Sequence, residues 1–465
     1  MNSVAYLVLL GWVPFGLLLF AALPARRAAL AVLSLGWLFL PILEIPLPGI
    51  PDFDKPAAVS YSLLLGVLIF DAKRLTTLRV RLCDVAMLAW ILAGPLASLA
   101  NQLGTHDALA QIWQRSFNWG VPYLIGRLYL NSPAGIRDFL WALFLSGLLY
   151  APFALWEIRM SPQLHRIVYG EAQHFFAQTM RGGGWRPMVF MRHGLELSLY
   201  MAMAAFAGVT LWRHGRVKKV AGIPSGLLVT ALVGTVVLCK STGATLLLLL
   251  SIGLSWGALG LWTRRALMAG IPAFLTARIV APGSLEGALV ETAALLSPAR
   301  ASSLAYRFAN EQLLMDNVLQ NLLLGSGSWS FLNATDSWTG QVQTAVPDSL
   351  WIIAIATTGL CGLVSLQLFT WLPAARAVTS RSSAPELVGA GLILSMTVLD
   401  GLVNALVPAI VIALAGGLSF YRSGQPAAAL AHANAGAPRR RPLLQPRASA
   451  TATRAPVSET GQDLA

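Results

Sequence analysis

Residues 223–262 read IPSGLLVTALVGTVVLC, then KST, then GATLLLLLSIGLSWGALGLW. They form two long apolar runs that only Lys240, Ser241 and Thr242 separate. A helix needs roughly 20 apolar residues to cross the hydrocarbon core of a bilayer, and each run comes close to that length. The stretch therefore predicts a tight hairpin of two membrane helices with Lys240 at its turn, and this decides the fold class.

Similar apolar runs follow along the whole chain. With the pair above they number thirteen, at 4–23, 28–48, 57–71, 82–100, 109–130, 136–158, 194–212, 223–239, 243–262, 266–281, 348–371, 386–401 and 404–421. Of the 465 residues, 56% are hydrophobic and only 11% are charged, which excludes a soluble multi-domain enzyme. We predict an all-α fold, a polytopic transmembrane bundle of about 12–13 spans. Runs 28–48 and 266–281, which proline and charge interrupt, are either spans or re-entrant segments.

The distribution of charge predicts the orientation of the bundle. Lysine and arginine groups at 26–27, 73–81, 127–137, 213–219, 264–265 and 376–381 occupy every second connection between the runs. Basic loops mark the cytoplasmic side, so the N-terminus lies outside and the C-terminus inside. This bias accounts for the net charge of +13, and nucleic acid is not a predicted partner.

Six segments follow from the runs and their orientation. They are N-terminal membrane helices at 1–158, a first outer segment at 159–193, central membrane helices at 194–281, a long outer loop at 282–347, C-terminal membrane helices at 348–421 and a disordered basic cytoplasmic tail at 422–465. In the long loop, apolar residues recur at helical spacing, which predicts an amphipathic helix lying at the membrane interface. They are Leu304, Phe308, Met315, Val318 and Leu322.

Basic residues of the outer segments are the first candidates for function. Arg186, Arg192, Arg300 and Arg307 lie on the face where basic residues are disfavoured, which indicates an anionic ligand such as a phosphate. A guanidinium suits phosphate because its planar fork donates two parallel hydrogen bonds. Lys240 is a second anion contact or a side chain that snorkels to the headgroups. For Arg307 the alternative is a local ion pair with Glu311, four residues on.

Three further residues are candidates for proton transfer. Asp348 precedes a span and is either the N-cap of that helix or a general base for a sugar hydroxyl. Glu196 lies one helical turn after Arg192 and His193, so it is a structural partner first and a base second. His193 is able to carry a proton. The sequence has no metal-ligand spacing and its three cysteines are unpaired, so neither a metal nor a cofactor is predicted.

Four segments, in this order, resemble the superfamily of O-antigen ligases and Wzy-type polysaccharide polymerases. They are RPMVFMRHGLELSLYM at 186–201, CKSTGATLLLLL at 239–250, YRFANEQLLMDNVLQNLLLGSGSWSF at 306–331 and PDSLWIIAIATTGLCGL at 347–363. The resemblance covers roughly residues 180–375. It implies a multi-pass glycosyltransferase of the bacterial inner membrane that uses polyprenyl-diphosphate-linked oligosaccharide at the periplasmic face.

The resemblance also implies roles for the candidates. Transfer would be metal-independent and inverting, with Asp348, Arg307 and Glu196 catalytic and with the remaining candidates binding substrate: Arg186, Arg192, His193, Lys240 and Arg300. Where the family's ligases carry a hairpin arginine and a catalytic histidine, this chain has Thr242 and Asp348. Both departures favour a polymerase that extends a growing glycan acceptor, working with a chain-length regulator and export proteins. The alternatives are a ligase that acts on a lipid acceptor and a flippase for lipid-linked oligosaccharide.

Overall fold

The computed structural model describes residues 1–47, 49–256, 260–335, 342–380 and 384–421. It is 75% helical, which confirms the all-α class. The helices are α1 (Ser3–Ala22), α2 (Ala25–Phe39), α3 (Lys55–Phe70), α4 (Leu82–Ala100), α5 (Thr105–Arg115), α6 (Val121–Tyr129), α7 (Pro133–Met160), α8 (Leu164–Tyr169), α9 (Gly194–Arg213), α10 (Ser225–Leu238), α11 (Thr242–Ser255), α12 (Gly260–Val280), α13 (Glu286–Leu296), α14 (Pro298–Gln320), α15 (Leu350–Thr379), α16 (Pro385–Asp400) and α17 (Ala409–Ser419).

Short antiparallel hairpins connect some of these helices. Their strands pair in sequence order and are β1 (Ile45–Leu47), β2 (Ile50–Phe53), β3 (Met180–Arg181), β4 (Gly184–Trp185), β5 (Lys219–Val220), β6 (Ile223–Pro224), β7 (Asn333–Thr335) and β8 (Val342–Thr344). By the contacts between its residues, the chain divides into two units, Met1–Arg422 and Ser423–Ala465. The second unit, and with it the predicted tail at 422–465, lies outside the described residues.

Five of the described helices are long and apolar enough to cross a membrane, namely α1, α4, α7, α9 and α15. Within residues 223–262 two helices, α10 and α11, are joined by a short turn, but each has only 14 residues and is shorter than the predicted span. Other predicted runs are interrupted. In run 28–48 helix α2 ends at Phe39, because Pro41 and Pro46 lack the amide N–H that a helix needs, and the chain turns into the β1–β2 hairpin.

Helix α9 is the central helix of the fold. It packs against α7, α10, α11 and α16, and nearly all of its residues are buried. Alanine and glycine are frequent on it and let the neighbouring helices approach closely. Its N-terminus is therefore held in a fixed place, and the first outer segment leads directly into it.

The predicted helix of the long loop is present as α14, and its position at the membrane interface stays a prediction. Its apolar residues Phe308, Met315 and Val318 are buried, and its apolar face packs against α12 and α15, whereas Leu322 lies beyond its last residue. The turn that follows docks into a break in α15 at Gly359, whose φ of 64° favours glycine. There the amide of Leu360 donates to the carbonyl of Leu322 at 2.8 Å. This junction fastens α14 to α15 and so positions the residues that both helices present.

Candidate functional site

Arg186 is the most deeply placed arginine of the first outer segment. It follows strand β4, its amide donates to the carbonyl of Thr179 at 2.8 Å, and the residue is only 4% exposed. Its Nη2 donates to the carbonyl of Lys240 at 3.2 Å, but its Nε has no hydrogen-bond partner among the described residues. A buried donor without a partner is costly, so this nitrogen indicates a missing acceptor.

Other cations surround Arg186, and we call the five together the arginine cluster: Arg181, Arg186, Lys240, Arg300 and Arg307. Burial, followed by the charges of Arg181, Arg300 and Arg307, lowers the pKa of Arg186 to about 10. The guanidinium is still protonated at neutral pH. Within the described ranges the only carboxylate in an ion pair with the cluster is Asp348. The excess of positive charge predicts an anionic ligand.

Lys240 lies in the turn between α10 and α11. Its φ of 54° is in the left-handed region, which few residues other than glycine adopt. Its Nζ donates to the carbonyl of Gly182 at 3.0 Å, in the turn of the β3–β4 hairpin. The lysine thus ties the hairpin of the first outer segment to the helical hairpin, and its carbonyl holds Arg186.

Arg307 projects from α14 toward the residue that precedes α15. Its Nε lies 3.4 Å from Oδ2 of Asp348, and its Nη1 donates to Oδ1 of Asn404 at 2.9 Å and to the carbonyl of Val403. The alternative interpretation, a local ion pair between Arg307 and Glu311, is therefore wrong. Glu311 instead pairs with Arg278 and accepts a hydrogen bond from Ser349.

Glu311 is buried and takes part in a separate network. It accepts from Nη2 of Arg278 at 2.5 Å and from the hydroxyl of Ser349. Arg278 belongs to α12, so this ion pair fastens α12 to α14. The contact could not be predicted from sequence, because the spacing of Arg307 and Glu311 satisfied a helical pair equally well.

Asp348 is not a helix cap, so that interpretation is wrong. The N-cap of α15 is Ser349, and helix α15 begins at Leu350. The Asp348 side chain is 36% exposed and Arg307 holds its carboxylate from one side. A carboxylate that is anchored but accessible is suited to accept a proton from a bound hydroxyl.

His193 is the N-cap of α9. Its Nδ1 accepts the amide of Leu195 at 3.0 Å, and its ring lies 4.8 Å from the ring of His174, centroid to centroid. Burial, together with the charges of His174 and Arg186, lowers the pKa of His193 to about 4. The ring is neutral at pH 7, and because Nδ1 accepts, Nε2 carries the hydrogen. His193 in this arrangement is a hydrogen-bond donor beside the cluster.

Arg192 and Glu196 lie apart from the cluster. The carboxylate of Glu196 is 5% exposed and accepts the amide of Arg192 at 3.1 Å, which closes the first turn of α9. Both side chains line a different cavity, together with Lys55. The structure therefore brings together six of the eight sequence candidates and places these two elsewhere.

Sequence reasoning missed three residues at the site: Arg181, His174 and Asn404. Arg181 carried a signal, since it is another outward basic residue of the first segment. His174 and Asn404 carried none, because only the packing of distant segments brings them to His193 and Arg307.

Within the described ranges no group of three His, Cys, Asp or Glu side chains is arranged to hold a metal ion. Comparisons of the chain with protein-family models, with curated proteins and with solved structures found no match.

Proposed function

We propose that this protein is a membrane glycosyltransferase that joins lipid-linked oligosaccharide repeat units into a longer glycan. Arg186 carries the proposal. A buried guanidinium whose Nε lacks an acceptor, with Arg181, Arg300 and Arg307 nearby, is suited to a ligand with several negative charges. The diphosphate of a polyprenyl-diphosphate donor has that chemistry, and its lipid tail suits a protein with five helices long enough to cross a membrane.

The proposed step transfers one glycosyl group. An acceptor hydroxyl attacks the anomeric carbon of the donor, and a new C–O bond forms as the bond from that carbon to the diphosphate oxygen breaks. The polyprenyl diphosphate leaves with the electron pair, and the carboxylate of Asp348 takes the hydroxyl proton. The arginine cluster neutralises the charge that grows on the leaving group, which is where preorganised donors lower a barrier most.

The pairing of Asp348 with Arg307 supports this division of labour. Arg307 lies 3.4 Å from Asp348 and belongs to the cluster, so the base and the leaving-group site adjoin. A flippase needs cations along its path and has no use for an anchored, half-exposed carboxylate beside them. A ligase requires the same step with a lipid acceptor, and the carboxylate in place of the family's histidine favours the polymerase.

The membrane arrangement is part of the proposal. We infer a polytopic bundle in the bacterial inner membrane with the cluster on the periplasmic face, because the basic groups of the chain alternate between connections. A growing glycan acceptor, a chain-length regulator and export proteins are the partners that such an enzyme would have.

Purified protein incubated with a polyprenyl-diphosphate oligosaccharide tests the function. Longer glycans on the lipid, with release of polyprenyl diphosphate, are expected of the polymerase. Transfer to added lipid A-core would identify a ligase. Movement of the donor across a vesicle membrane, without any change in glycan length, would identify a flippase.

A further inference from the structure

A second polar cavity lies where α2 ends and where α3, α9 and α17 begin. It has a volume of about 280 Å³ and is separate from the arginine cluster. Its charged and amide lining residues are Glu44, Asp54, Lys55, Gln114, Asn118, Arg192 and Glu196. An adjoining cavity of about 370 Å³ shares Glu44, Asp54, Gln114 and Asn118 with it. The two form one extended polar space.

Three of the lining residues frame the space. Asp54 caps α3 by accepting the amide of Ala57 at 2.9 Å. Lys55 is buried and donates to the carbonyls of Leu40 and Phe190, at 3.1 Å each. Glu196 accepts the amide of Arg192. These contacts hold the walls in place.

The other four side chains have hydrogen-bonding groups that remain available to a ligand. Within the described residues Glu44, Gln114, Asn118 and Arg192 make no side-chain hydrogen bond or ion pair. Two amides, a carboxylate and a guanidinium offer both donors and acceptors to a ligand. A ligand with hydroxyl groups satisfies both kinds, because each hydroxyl donates one hydrogen bond and accepts others.

Aromatic rings complete the lining. Phe117 lines both cavities, Trp119 lines the first and Trp113 the second. The rings of Trp113 and Phe117 are stacked, with centroids 4.7 Å apart and planes at 23°. Sugar rings have an apolar face of C–H groups that packs against such rings, while their edges carry hydroxyls. A sugar therefore satisfies both the aromatic and the polar side chains of this lining.

The charge of its lining distinguishes this space from the arginine cluster. Four carboxylates, of Glu44, Asp52, Asp54 and Glu196, line the space with two cations, of Lys55 and Arg192. A diphosphate would meet this carboxylate excess unfavourably. The charge balance therefore favours a neutral ligand here and an anion at the cluster.

The chain passes from one site to the other at two places. Arg192 lines the cavity and His193, the next residue, lies beside the cluster. Asn404 holds Arg307, and Ala405, the next residue, lines the cavity. Consecutive Cα atoms are about 3.8 Å apart, so the two sites adjoin along the backbone at both places.

We propose that this space, which we call the polar cavity, binds neutral sugar residues of the acceptor glycan. Its role as the acceptor site rests on the proposed function, whereas glycan binding itself does not. Gln114 and Asn118 would bind hydroxyls, and Phe117 would pack against a sugar ring.

Binding of purified, detergent-solubilised protein to an array of immobilised neutral oligosaccharides tests the proposal. The array would carry linear chains of hexoses, deoxyhexoses and N-acetylhexosamines. We expect wild-type protein to bind a subset of them. Replacing two hydrogen-bonding amides by apolar groups of similar size, in Gln114→Met/Asn118→Leu, should weaken binding about tenfold or more. Gln320→Met, on the exposed end of α14, is the matched control and should bind like wild type.

Arg186→Lys separates this proposal from the proposed function. It should retain array binding while glycosyl transfer fails. If wild-type protein binds no neutral glycan, or if the double variant binds as wild type does, the proposal is overturned. Should the double variant not fold, Glu44→Ala removes an exposed carboxylate of the lining and should likewise weaken array binding. If the protein binds the array but does not transfer glycosyl groups, the polymerase assignment is wrong and the glycan-binding site still stands.

Discussion

Arg307 and Asp348 face each other from α14 and from the residue before the cap of α15, with 3.4 Å between Nε and Oδ2. The Arg307 guanidinium contacts both this carboxylate and the amide oxygen of Asn404, which lies 2.9 Å from Nη1. The carboxylate is thereby held in one orientation beside a concentration of positive charge. Under the proposed function, Arg307 therefore links the base to the charges that stabilise the leaving group.

The first prediction concerns Asp348 as the base. Asp348→Asn keeps the size of the side chain but removes the proton acceptor, so transfer should fall by about 100-fold or more. Thermal stability should stay close to that of wild type, because Ser349 and not Asp348 caps α15. Polymer length on gels and the melting temperature of the purified protein are the two measurements.

Ser349→Ala is the matched control for that test. It removes a buried hydroxyl that bonds to Glu311, so it should lower the melting temperature and leave transfer per folded molecule intact. Asp348→His, if active, would indicate that proton acceptance is the required property. Wild-type polymer from Asp348→Asn would remove Asp348 from the chemistry.

The second prediction uses the contact between Gly194 and Arg186. A Cβ at Gly194 would lie 2.5 Å from Cγ and from Cδ of Arg186, so alanine there must displace the arginine side chain. We expect Gly194→Ala to reduce transfer about tenfold or more, because the displaced guanidinium is no longer positioned for the diphosphate. Gly243→Ala on α11, whose Cβ would meet nothing within 4 Å, should leave transfer unchanged. Equal activity of the two variants would show that the position of Arg186 is unimportant.

The third prediction concerns pH. Folding lowers the pKa of His193 from 6.5 to about 4, so between these values the unfolded chain binds more protons than the folded one. Stability is therefore lost as the pH falls from 6.5 toward 4. His193→Asn keeps a good N-cap residue and cannot titrate, so its melting temperature should fall less than that of wild type between pH 7.5 and 5. Because His174 interacts with His193, both curves are measured in a His174→Asn background, where the remaining histidines titrate alike in the two proteins. If the melting temperatures of wild type and His193→Asn fall equally between pH 7.5 and 5, the lowered pKa of His193 is refuted.

The fourth prediction concerns orientation in the membrane. Alkaline phosphatase folds only outside the cytoplasm, because it needs disulfides that the reducing cytoplasm does not support. Fusions after residues near 175 and 330 should be active, and fusions near 77, 217 and 430 should be inactive. Activity at 217 would reverse the orientation and would place the arginine cluster in the cytoplasm.

Much of the fold was predictable, because apolar runs report helices directly. The hairpin of α10 and α11 and the amphipathic helix α14 follow from the patterns at 223–262 and 304–318. The interruption of run 28–48 follows from its prolines. That Arg186, Lys240 and Arg307 share one site was also predictable in outline, since all three belong to the same predicted face.

The remainder depended on contacts between distant parts of the chain. Asn404 meets Arg307 across 97 residues, and no local pattern predicts such a contact. Arg192 and His193 separate because the backbone before α9 is extended, with φ −149° and ψ 149° at His193, and neighbouring side chains of an extended segment point to opposite sides. Whether Arg307 pairs with Glu311 or with Asp348 was decided by the packing of α14 against α12 and α15.

The central claim is that the arginine cluster binds the diphosphate leaving group, and Arg186→Lys tests it most directly. Lysine keeps the charge and loses the planar fork, so it cannot reproduce bidentate hydrogen bonds to phosphate. The measurement is the rate at which purified protein releases polyprenyl diphosphate from a lipid-linked oligosaccharide as the glycan lengthens. We predict that Arg186→Lys releases it about 100-fold more slowly than wild type, while Arg159→Lys, which alters an exposed arginine at the end of α7, matches wild type. Equal rates in wild type and Arg186→Lys, or glycan growth without released polyprenyl diphosphate, would contradict the account.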